Sequence, residues 1–458
     1  MEIGCLMNTR MITPSKVTKR YGISRSYAYE LKDRYRSTMD TLCEYDCKSM
    51  ILLDKKMIRR SVISLTLDCN ASEEGIQRFL ELIFNIHVSI GTISNIINEA
   101  SERAYEFDKT IPLDNIHQAA NDEIFQGNQP ILTGIDTDSL YAYALDAASD
   151  RTGDTWETTM VCLMDQGLDP DVSISDAGTG LMKGIPAAFP KANIQLDVFH
   201  ALRSVGKEVS KLERSAFSEI HKESELEKRL SGPKPHKMTR IKLEETKTKA
   251  AIAIERFDRI WILFLWLKEL LGFSGYSYGE ALSMANWVLD EMLLAEPDNN
   301  GLKKEIESLR KALPLALQHL QRLWSKMETL SEQLEIPNEI LPLLYRLGNY
   351  AEGSMEEKSI NKRINHCLKE RRPEVEETLK NAIKATKRAS SSVENLNGRI
   401  RVRINLKRGL SSKFLFLLKV YFNTKKFRRS RVEERCGKSP LELMTGHSHS
   451  DYMVLLGY

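Results

Sequence analysis

The stretch VSISDAGTGLMKGIPAAFPKANIQLDVFHALRSV, residues 172–205, decides the fold of this 458-residue chain. An apolar run ends in Asp176 and passes through a glycine-bearing turn into a helix-forming segment. A second apolar run then leads into Asp197 and His200. This order predicts a strand, a helix and a second strand. Asp176 is thereby placed at the carboxyl end of a strand, where α/β sheets bind their ligands.

Three more strands are predicted upstream, because from residue 116 short strand-like runs alternate with turn residues. The runs are AANDEIF, PILTGID and LYAYALDAA, residues 119–125, 130–136 and 140–148. Their QGNQ and TDS turns predict an antiparallel meander, and residues 155–166 predict a helix. A meander followed by alternating strands and helices is the RNase H-like order.

The motif of residues 172–205 resembles a signature of bacterial insertion-sequence transposases and the related Mutator-like transposases. That signature is SDG, a helix ending in FP, then Q-x-C/D-x-x-H, whose last element matches Asp197 and His200. The resemblance runs from about residue 121 to 200 and again from about 390 to 446. It implies a DDE-type DNA transposase that cleaves and transfers DNA strands at the ends of its mobile element.

The resemblance also implies three carboxylates that hold two Mg²⁺ or Mn²⁺ ions, since such hard ions favour oxygen ligands. Asp176 is the expected second carboxylate. The first is Asp122 or Asp136, on adjacent predicted strands; the relatives' pattern favours Asp122, with Asp136 forming a turn. Glu123 is expected on the opposite face of its strand from Asp122.

The third carboxylate is expected from a helix further along the chain. The string ASSSVENLNGRIRVRIN resembles the family's S-x-x-x-E-x-x-N pattern and offers Glu394, with Asn397 one turn later on the same face. Asp197, His200 and Asn397 are expected as auxiliary residues. His200 is either an ordinary structural histidine or a residue that orients a carboxylate or contacts the scissile strand.

Two helix-turn-helix units are predicted before the sheet, an arrangement that resembles the region preceding many transposase catalytic domains. In residues 15–35, Val17, Tyr21, Tyr27 and Leu31 would face inward around a Gly22 turn. In residues 73–100, Ile76, Phe79, Leu80, Ile83, Ile93, Ile96 and Ile97 would do so. The expected DNA-contacting residues are Arg25, Ser26, Tyr29, Lys32, Thr92 and Asn95. Generic helical hairpins remain the alternative.

Between the two catalytic segments, residues 201–388 carry almost only helical signals and predict an all-helical insertion. Trp261, Trp266, Trp287 and Trp324 are its predicted core residues, and the loops fall near 232–236 and 296–301. The fold class is therefore multidomain α/β plus all-α. The predicted divisions are 1–40, 50–112, 116–205, 206–385 and 386–458.

A basic segment follows Glu394. The net charge is only +3, but residues 399–431 contain no Asp or Glu. Its cations are Arg399, Arg401, Arg403, Lys407, Arg408, Lys413, Lys419, Lys425, Lys426, Arg428, Arg429 and Arg431. The first five are expected to bind the DNA backbone, because cations that neutralise phosphates supply sequence-independent affinity. A solvated charged helix is the alternative.

The remaining features set limits on the class of protein. No run reaches the roughly 20 apolar residues of a membrane span, and no secretory signal begins the chain. The seven cysteines form no C-x-x-C pair, so reduced thiols and no structural zinc are expected, although Cys43 and Cys47 could begin a metal site. A cytoplasmic protein, nucleoid-associated when bound to DNA, is predicted. Its partners would be double-stranded DNA, at terminal inverted repeats and target, and further copies of itself in a dimer or higher oligomer. An inactive DNA-binding relative and an RNase H-like nuclease are the competing functions.

Overall fold

The computed structural model describes residues 2–9, 11–44, 54–232, 237–407 and 409–458. The side chains of Cys43 and Cys47, considered above as a metal site, lie outside this description. The chain divides into two compact units, residues 1–61 and 62–458.

The first unit is built on three helices, α1 (Glu2–Asn8), α2 (Pro14–Tyr21) and α3 (Arg25–Glu44). Gly22 ends α2 in the left-handed region, with φ 66°, and its N–H donates to the Thr18 carbonyl at 3.0 Å. Val17 and Ala28 are buried between the helices. Tyr27, predicted to face inward, is 44% exposed. That prediction is wrong because the next residue, Ala28, occupies the inward position of the turn.

In the described residues, three more helices follow α3 before the sheet. They are α4 (Lys55–Leu67), which crosses the boundary between the units, α5 (Glu73–Phe84) and α6 (Ile90–Lys109). Ser72 and Ser89 cap the starts of α5 and α6. Of the residues predicted to face inward, Ile76, Leu80, Ile93, Ile96 and Ile97 are buried. Phe79 and Ile83 are 37% and 63% exposed, so the buried face of α5 is narrower than predicted.

A five-stranded mixed sheet forms the centre of the second unit. Its strands are β1 (Gln118–Gln126), β2 (Gln129–Asp136), β3 (Ala142–Ala147), β4 (Val172–Ser175) and β5 (Asn193–Leu196). They lie in the order β3-β2-β1-β4-β5. The first three pair antiparallel, whereas β1 with β4 and β4 with β5 pair parallel. The predicted meander and the strand-helix-strand order after it are confirmed.

Hydrogen bonds between side chains fix the register on one face of the sheet. The Asn121 amide on β1 donates to Ser173 Oγ on β4 at 3.0 Å, and the Tyr143 hydroxyl on β3 donates to Asn121 Oδ1 at 2.6 Å. Asn121 is fully buried, so losing either partner would leave a polar atom without a hydrogen bond. Because side chains alternate along a strand, the neighbouring Asp122 points to the other face.

Two helices cover that first face, α7 (Gly153–Met164) and α8 (Thr179–Ala188). They pack backbone against backbone at glycines. A Cβ atom on Gly180 would overlap the Arg151 carbonyl, and one on Gly184 would overlap the Gly153 carbonyl. The close approach fixes the start of α8, and with it the loop that carries Asp176.

The elements described between β5 and the last part of the unit are all helices, as predicted. Its helices are α9 (Val198–Leu230), α10 (Lys237–Leu270), α11 (Tyr278–Ala295), α12 (Asn300–Ala316), α13 (Gln318–Gln333), α14 (Ile340–Arg346), α15 (Met355–Leu368) and α16 (Arg372–Ala385). The predicted loop after α11 is present, and residues 233–236 lie outside the description.

The tryptophan prediction for this helical segment is largely wrong. Trp261, Trp266 and Trp287 are 42%, 48% and 51% exposed, and only Trp324 is partly buried against a core. Aliphatic side chains such as Leu263 and Leu267 fill the interior instead. These branched side chains suit close helix contacts, so the large rings lie outside.

The chain returns to the sheet through α17 (Ser391–Lys407) and α18 (Ser412–Thr424), followed by the short helices α19 (Pro440–Thr445) and α20 (Tyr452–Leu455). The Asn423 side chain on α18 pairs with both the N–H and the carbonyl of Ala142, which covers the β3 edge. Lys419, one of the basic run, is buried in an ion pair with Asp108 at 2.7 Å. Within the described ranges, no helix combines the length and apolar character that crossing a bilayer requires.

Candidate active site

Asp122 and Asp176 lie side by side on neighbouring parallel strands. The last residue pair between β1 and β4 is Asn121 with Ser175, and each aspartate is the next residue along its strand. Asp176 Oδ1 accepts the Gly178 N–H at 2.9 Å. A Cβ atom at position 178 would come within 2.9 Å of that oxygen, so the glycine allows the carboxylate this position.

Asp122 is held by two hydrogen bonds. Its Oδ1 accepts the Glu123 N–H at 2.8 Å and its Oδ2 accepts Asn397 Nδ2 at 2.6 Å. Burial, together with the negative charges of Asp176 and Glu394, raises the pKa of Asp122 to about 6. Glu123 turns away, as predicted, and pairs with Arg151 at 2.6 Å.

Glu394 reaches the same region from the first turn of α17. Its side chain is 46% exposed, and its Oε1 lies 3.7 Å from His200 Nε2. Asn397 follows one turn later, fully buried, and places its amide on Asp122. Asp122 and Glu394 are 272 residues apart in the sequence (394 − 122). In the fold, the negative charge of Glu394 is close enough to raise the pKa of Asp122.

Asp197 joins the two helices that carry His200 and Glu394. Its Oδ1 caps α9 by accepting the N–H groups of Phe199 and His200, at 2.7 and 3.1 Å. Its Oδ2 accepts both the N–H and the hydroxyl of Ser390, each at 2.5 Å, directly before α17. Burial alone would raise the pKa of Asp197, but the bonds from His200 and Ser390 lower it to about 2.

His200 lies between Asp197 and Glu394. Its Nδ1 is 3.6 Å from Asp197 Oδ1, and this carboxylate, above all other groups, raises the pKa of the imidazole. Asp176 and Glu394 raise it further. The protonated ring is thus favoured beside the acidic cluster. Ser390, which donates to Asp197, was not singled out from the sequence.

Asp136 occupies a different environment from Asp122. It is 3% exposed and ends β2, where its Oδ2 accepts the N–H and hydroxyl of Ser139 at 2.8 and 2.5 Å. Across the strand pair it faces Ala119, three residues before Asp122. Its carboxylate therefore holds the turn between β2 and β3.

The chemistry of the acidic cluster suits a hard divalent cation. Asp122, Asp176 and Glu394 supply oxygen donors, and their mutual repulsion is the kind that a bound cation relieves. Asn397 Oδ1 is buried beside them without a hydrogen-bond partner. Among the residues that the structure describes, no group of three or more Asp, Glu, His or Cys side chains is arranged closely enough to hold an ion. Glu394, half exposed, has the freedom to rotate toward the two aspartates.

A cavity of about 480 Å³ opens beside Asp176 and His200, between the start of α9 and α12. Arg203 and Lys207, one and two turns after His200 on α9, line it. Sequence inspection missed both cations. Their spacing of three and four residues along α9 is the signal that would have revealed them.

The cations predicted to bind DNA fall into different environments. Arg403 is 6% exposed and donates to the carbonyls of Thr66, at 2.8 Å, and Leu67. Its guanidinium is buried between α17 and the end of α4, so it is not exposed to contact a phosphate, in contrast to the prediction. Arg399 lies over the Phe422 ring at 3.9 Å and Lys407 over Phe414 at 4.5 Å. Arg401 is exposed, and Arg408 lies outside the description.

The predicted contacts of the N-terminal helices are mostly at the surface. Arg25, Ser26, Tyr29, Thr92 and Asn95 are exposed, and Lys32 is half-buried. Arg25 donates to Ser15 Oγ at 2.6 Å, which ties the start of α3 to α2.

Comparison with known proteins identifies part of the chain. Residues 54–229 match the family model of the transposases of the Mutator family. This segment includes β1 to β5 and carries Asp122, Asp176, Asp197 and His200, whereas Glu394 lies beyond it. The match confirms the resemblance drawn from residues 172–205 and supports a transposase function. No curated protein matches the chain.

Proposed function

Residues 54–229 match the family model of the Mutator family transposases, and we propose that this chain is a DDE-type DNA transposase. Its catalytic residues would be Asp122, Asp176 and Glu394. One observation carries the proposal. Two aspartates stand next to each other on parallel strands, and the first turn of α17 brings a glutamate close enough to raise the pKa of Asp122. A carboxyl group whose pKa is raised by burial and by neighbouring carboxylates is typical of a functional site.

The topology of the sheet supports an RNase H-like core. Three antiparallel strands in sequence order are followed by two parallel ones on the far side of β1, in the order β3-β2-β1-β4-β5. Asp176 follows the carboxyl end of β4, and Asp122 lies in the middle of β1, at the point where β4 stops pairing with it. The long helical segment between β5 and α17 is an insertion in this core.

The three carboxylates would hold two Mg²⁺ or Mn²⁺ ions, which stabilise the charge on the entering and leaving oxygens of a phosphodiester. Asn397 orients Asp122 through its 2.6 Å hydrogen bond. Asp197 positions both His200 and the start of the Glu394 helix. His200, with its raised pKa, offers a positive charge to Glu394 or to a phosphate oxygen in the adjacent cavity.

End recognition is assigned to the helices that precede the sheet. The exposed side chains at the starts of α3 and α6 would contact base edges or phosphates, as recognition helices do. Arg203, Lys207 and Arg401 would bind the backbone near the cut. Because transposition joins two DNA ends, a dimer or higher oligomer on double-stranded DNA follows from the proposal.

The test is strand cleavage on duplexes that carry the inverted repeats flanking this gene. Purified protein with Mg²⁺ or Mn²⁺ is expected to nick the repeat end, and the Asp176→Asn variant is not. Binding of the ends without cleavage in either metal would contradict the proposal and leave a transposase-derived DNA-binding protein. Cleavage of any duplex regardless of the repeats would instead indicate a nuclease.

A further inference from the structure

A cavity of about 880 Å³ lies along a different face of α17 from the one that carries Glu394 and Asn397. Its walls are the β2–β3 turn, the connection between α16 and α17, the end of α18, and residues 425–435. From α17 it is lined by Ser391, Ser392, Asn395, Leu396 and Arg399. We call this cavity the basic groove.

The basic groove is lined by cations and by no carboxylate. The cations are Lys384, Lys387, Arg399, Lys425, Lys426, Arg428, Arg429, Arg431 and Arg435. Two of them are held by residues outside the lining of the groove. Lys426 pairs with Glu442 at 3.0 Å, and Arg435 donates to the Asp138 carbonyl at 2.7 Å. No ion pair joins Arg428, Arg429 or Arg431 to a carboxylate in the described part of the chain. Like charges gathered in one concave surface attract a polyanion.

A second and independent feature of the groove is a buried polar atom without a partner. Thr137 is 4% exposed and lines the groove, yet its hydroxyl forms no hydrogen bond. Ser392 Oγ, on the facing wall, is likewise buried and unpartnered. Buried hydroxyl groups normally form at least one hydrogen bond. These two form none within the protein, so a bound ligand could supply the partner.

The groove also has apolar and aromatic surface. Phe422 is buried under the Arg399 guanidinium, whereas Phe427, next to Arg428, is only half-buried and keeps part of its ring exposed. Positive charge beside an exposed aromatic ring suits unpaired nucleic acid, because a base stacks on the ring while cations follow the backbone. A cavity of this volume takes a few nucleotides, not a duplex.

We propose that the basic groove binds an unpaired segment of a DNA strand, a few nucleotides long, adjoining the phosphodiester at the acidic cluster. This inference rests on the proposed function for the identity of the nucleic acid as DNA and for the phosphodiester at the acidic cluster. Ser391 of the groove and Glu394 of the cluster are one turn apart at the start of α17, so a strand passing this end of the helix meets both.

The test compares the triple variant Arg428→Ala/Arg429→Ala/Arg431→Ala with a matched control, Lys303→Ala/Lys304→Ala/Lys311→Ala. The control removes three exposed cations from α12, far from the groove along the chain. The probes are a fluorescent poly(dT) strand of about 20 nucleotides and a blunt duplex of equal length, followed by anisotropy without metal. Circular dichroism and thermal melting establish that the variants are folded.

The groove variant is expected to bind poly(dT) at least roughly tenfold more weakly than the unmodified protein, with the duplex much less affected. Its salt dependence for poly(dT) should fall by about two, since each lost phosphate contact removes about 0.7 from the slope. The control should stay within about twofold on both probes. Thr137→Val, which keeps the shape of the side chain, should weaken poly(dT) binding about threefold.

Equal losses on strand and duplex, or no loss on the strand, would overturn the inference. Failure of the proposed function is recognised separately, by cleavage assays on the unmodified protein. A protein that binds poly(dT) through the groove but cuts no repeat end would refute the transposase proposal and leave the groove standing. A protein that cuts while the groove variant binds poly(dT) normally would refute the groove alone.

Discussion

The two faces of α17 carry opposite charge and are built in different ways. Glu394 and Asn397 face β1 and the aspartates, whereas Ser391, Asn395 and Arg399 line the basic groove. With 3.6 residues per turn, the centres of these two sets lie roughly 130° apart around the helix axis, so they belong to different faces of the helix. The helix α17 thus lies between the acidic cluster, whose carboxylates suit cations, and the basic groove, whose charge suits a polyanion.

The acidic face depends on contacts across the whole chain. Asp122 comes from β1, Asp197 from the start of α9, and Glu394 follows an insertion of nearly two hundred residues. The basic groove draws most of its charge from one short segment, residues 425–435, which follows α18. The acidic face is therefore the more sensitive to a single substitution, and the basic face is the more tolerant.

The largest expected effect comes from removing a carboxylate of the acidic face. Glu394→Gln should lower metal-dependent cleavage of the repeat end by about 10³-fold or more, because it removes transition-state charge stabilisation. DNA affinity, measured by anisotropy, should change by less than about threefold. Cleavage within tenfold of the unmodified rate would show that α17 does not supply a catalytic group.

The second prediction separates the two candidate first carboxylates. Asp122→Asn should lose cleavage as Glu394→Gln does. Asp136→Asn should keep cleavage and lower the free energy of unfolding by about 1–2 kcal/mol, because the Ser139 hydrogen bonds weaken. Single-turnover cleavage and chemical denaturation of both variants check this. The reverse pattern would move the active site to the β2 turn.

The third prediction uses pH to test the link between α9 and α17. The pKa of Asp197 is lowered to about 2, below its unfolded value of about 3.9, so its carboxylate stabilises the fold above pH 4. This contribution, about 2–3 kcal/mol, is lost as pH falls from about 4 to 2. The stability difference between the unmodified protein and Asp197→Asn should therefore be large at pH 6 and shrink toward pH 2.

Urea denaturation at several pH values measures that difference directly. Asp197→Asn should also reduce cleavage, because Ser390 and the start of α17 lose an anchor. A stability difference that stays constant with pH would contradict the assigned hydrogen bonds. A normal cleavage rate in the variant would show that Asp197 does not position Glu394.

The smallest effect on DNA binding is expected from two arginines of α17, which differ in burial and so form a matched pair of variants. Arg403→Met should lower the free energy of unfolding by roughly 2–3 kcal/mol, since charged hydrogen bonds to two carbonyls disappear. Arg401→Ala should change stability by less than about 0.5 kcal/mol but weaken binding to a repeat-end duplex about two- to threefold. If Arg403→Met affected DNA affinity alone, its place inside the fold would be wrong.

The sheet could be predicted from the sequence because its signals are local. Alternation and turn residues define β1 to β3, and the apolar runs around residues 172–205 define the rest. The predicted helix through Glu394 is likewise present, and its string carried Asn397 on the correct face.

What the sequence did not reveal depends on tertiary contacts. Arg403 and Lys419 look like solvated cations within a basic run, and only the packing of α17 and α18 buries them. The tryptophans of the insertion look like core residues, yet three are exposed. Ser390 contacts Asp197 only because the starts of α9 and α17 lie together in the fold. Arg203 and Lys207 line the cavity beside Asp176 because α9, capped by Asp197, starts there.

The central claim is that Asp122, Asp176 and Glu394 act together on a divalent metal ion. Anomalous diffraction from crystals grown with Mn²⁺ and repeat-end DNA tests it most directly. We predict a peak within about 2.3 Å of oxygens from both aspartates, with Glu394 turned from His200 toward the metal. Mn²⁺ bound elsewhere, with Glu394 still against His200, would contradict the claim.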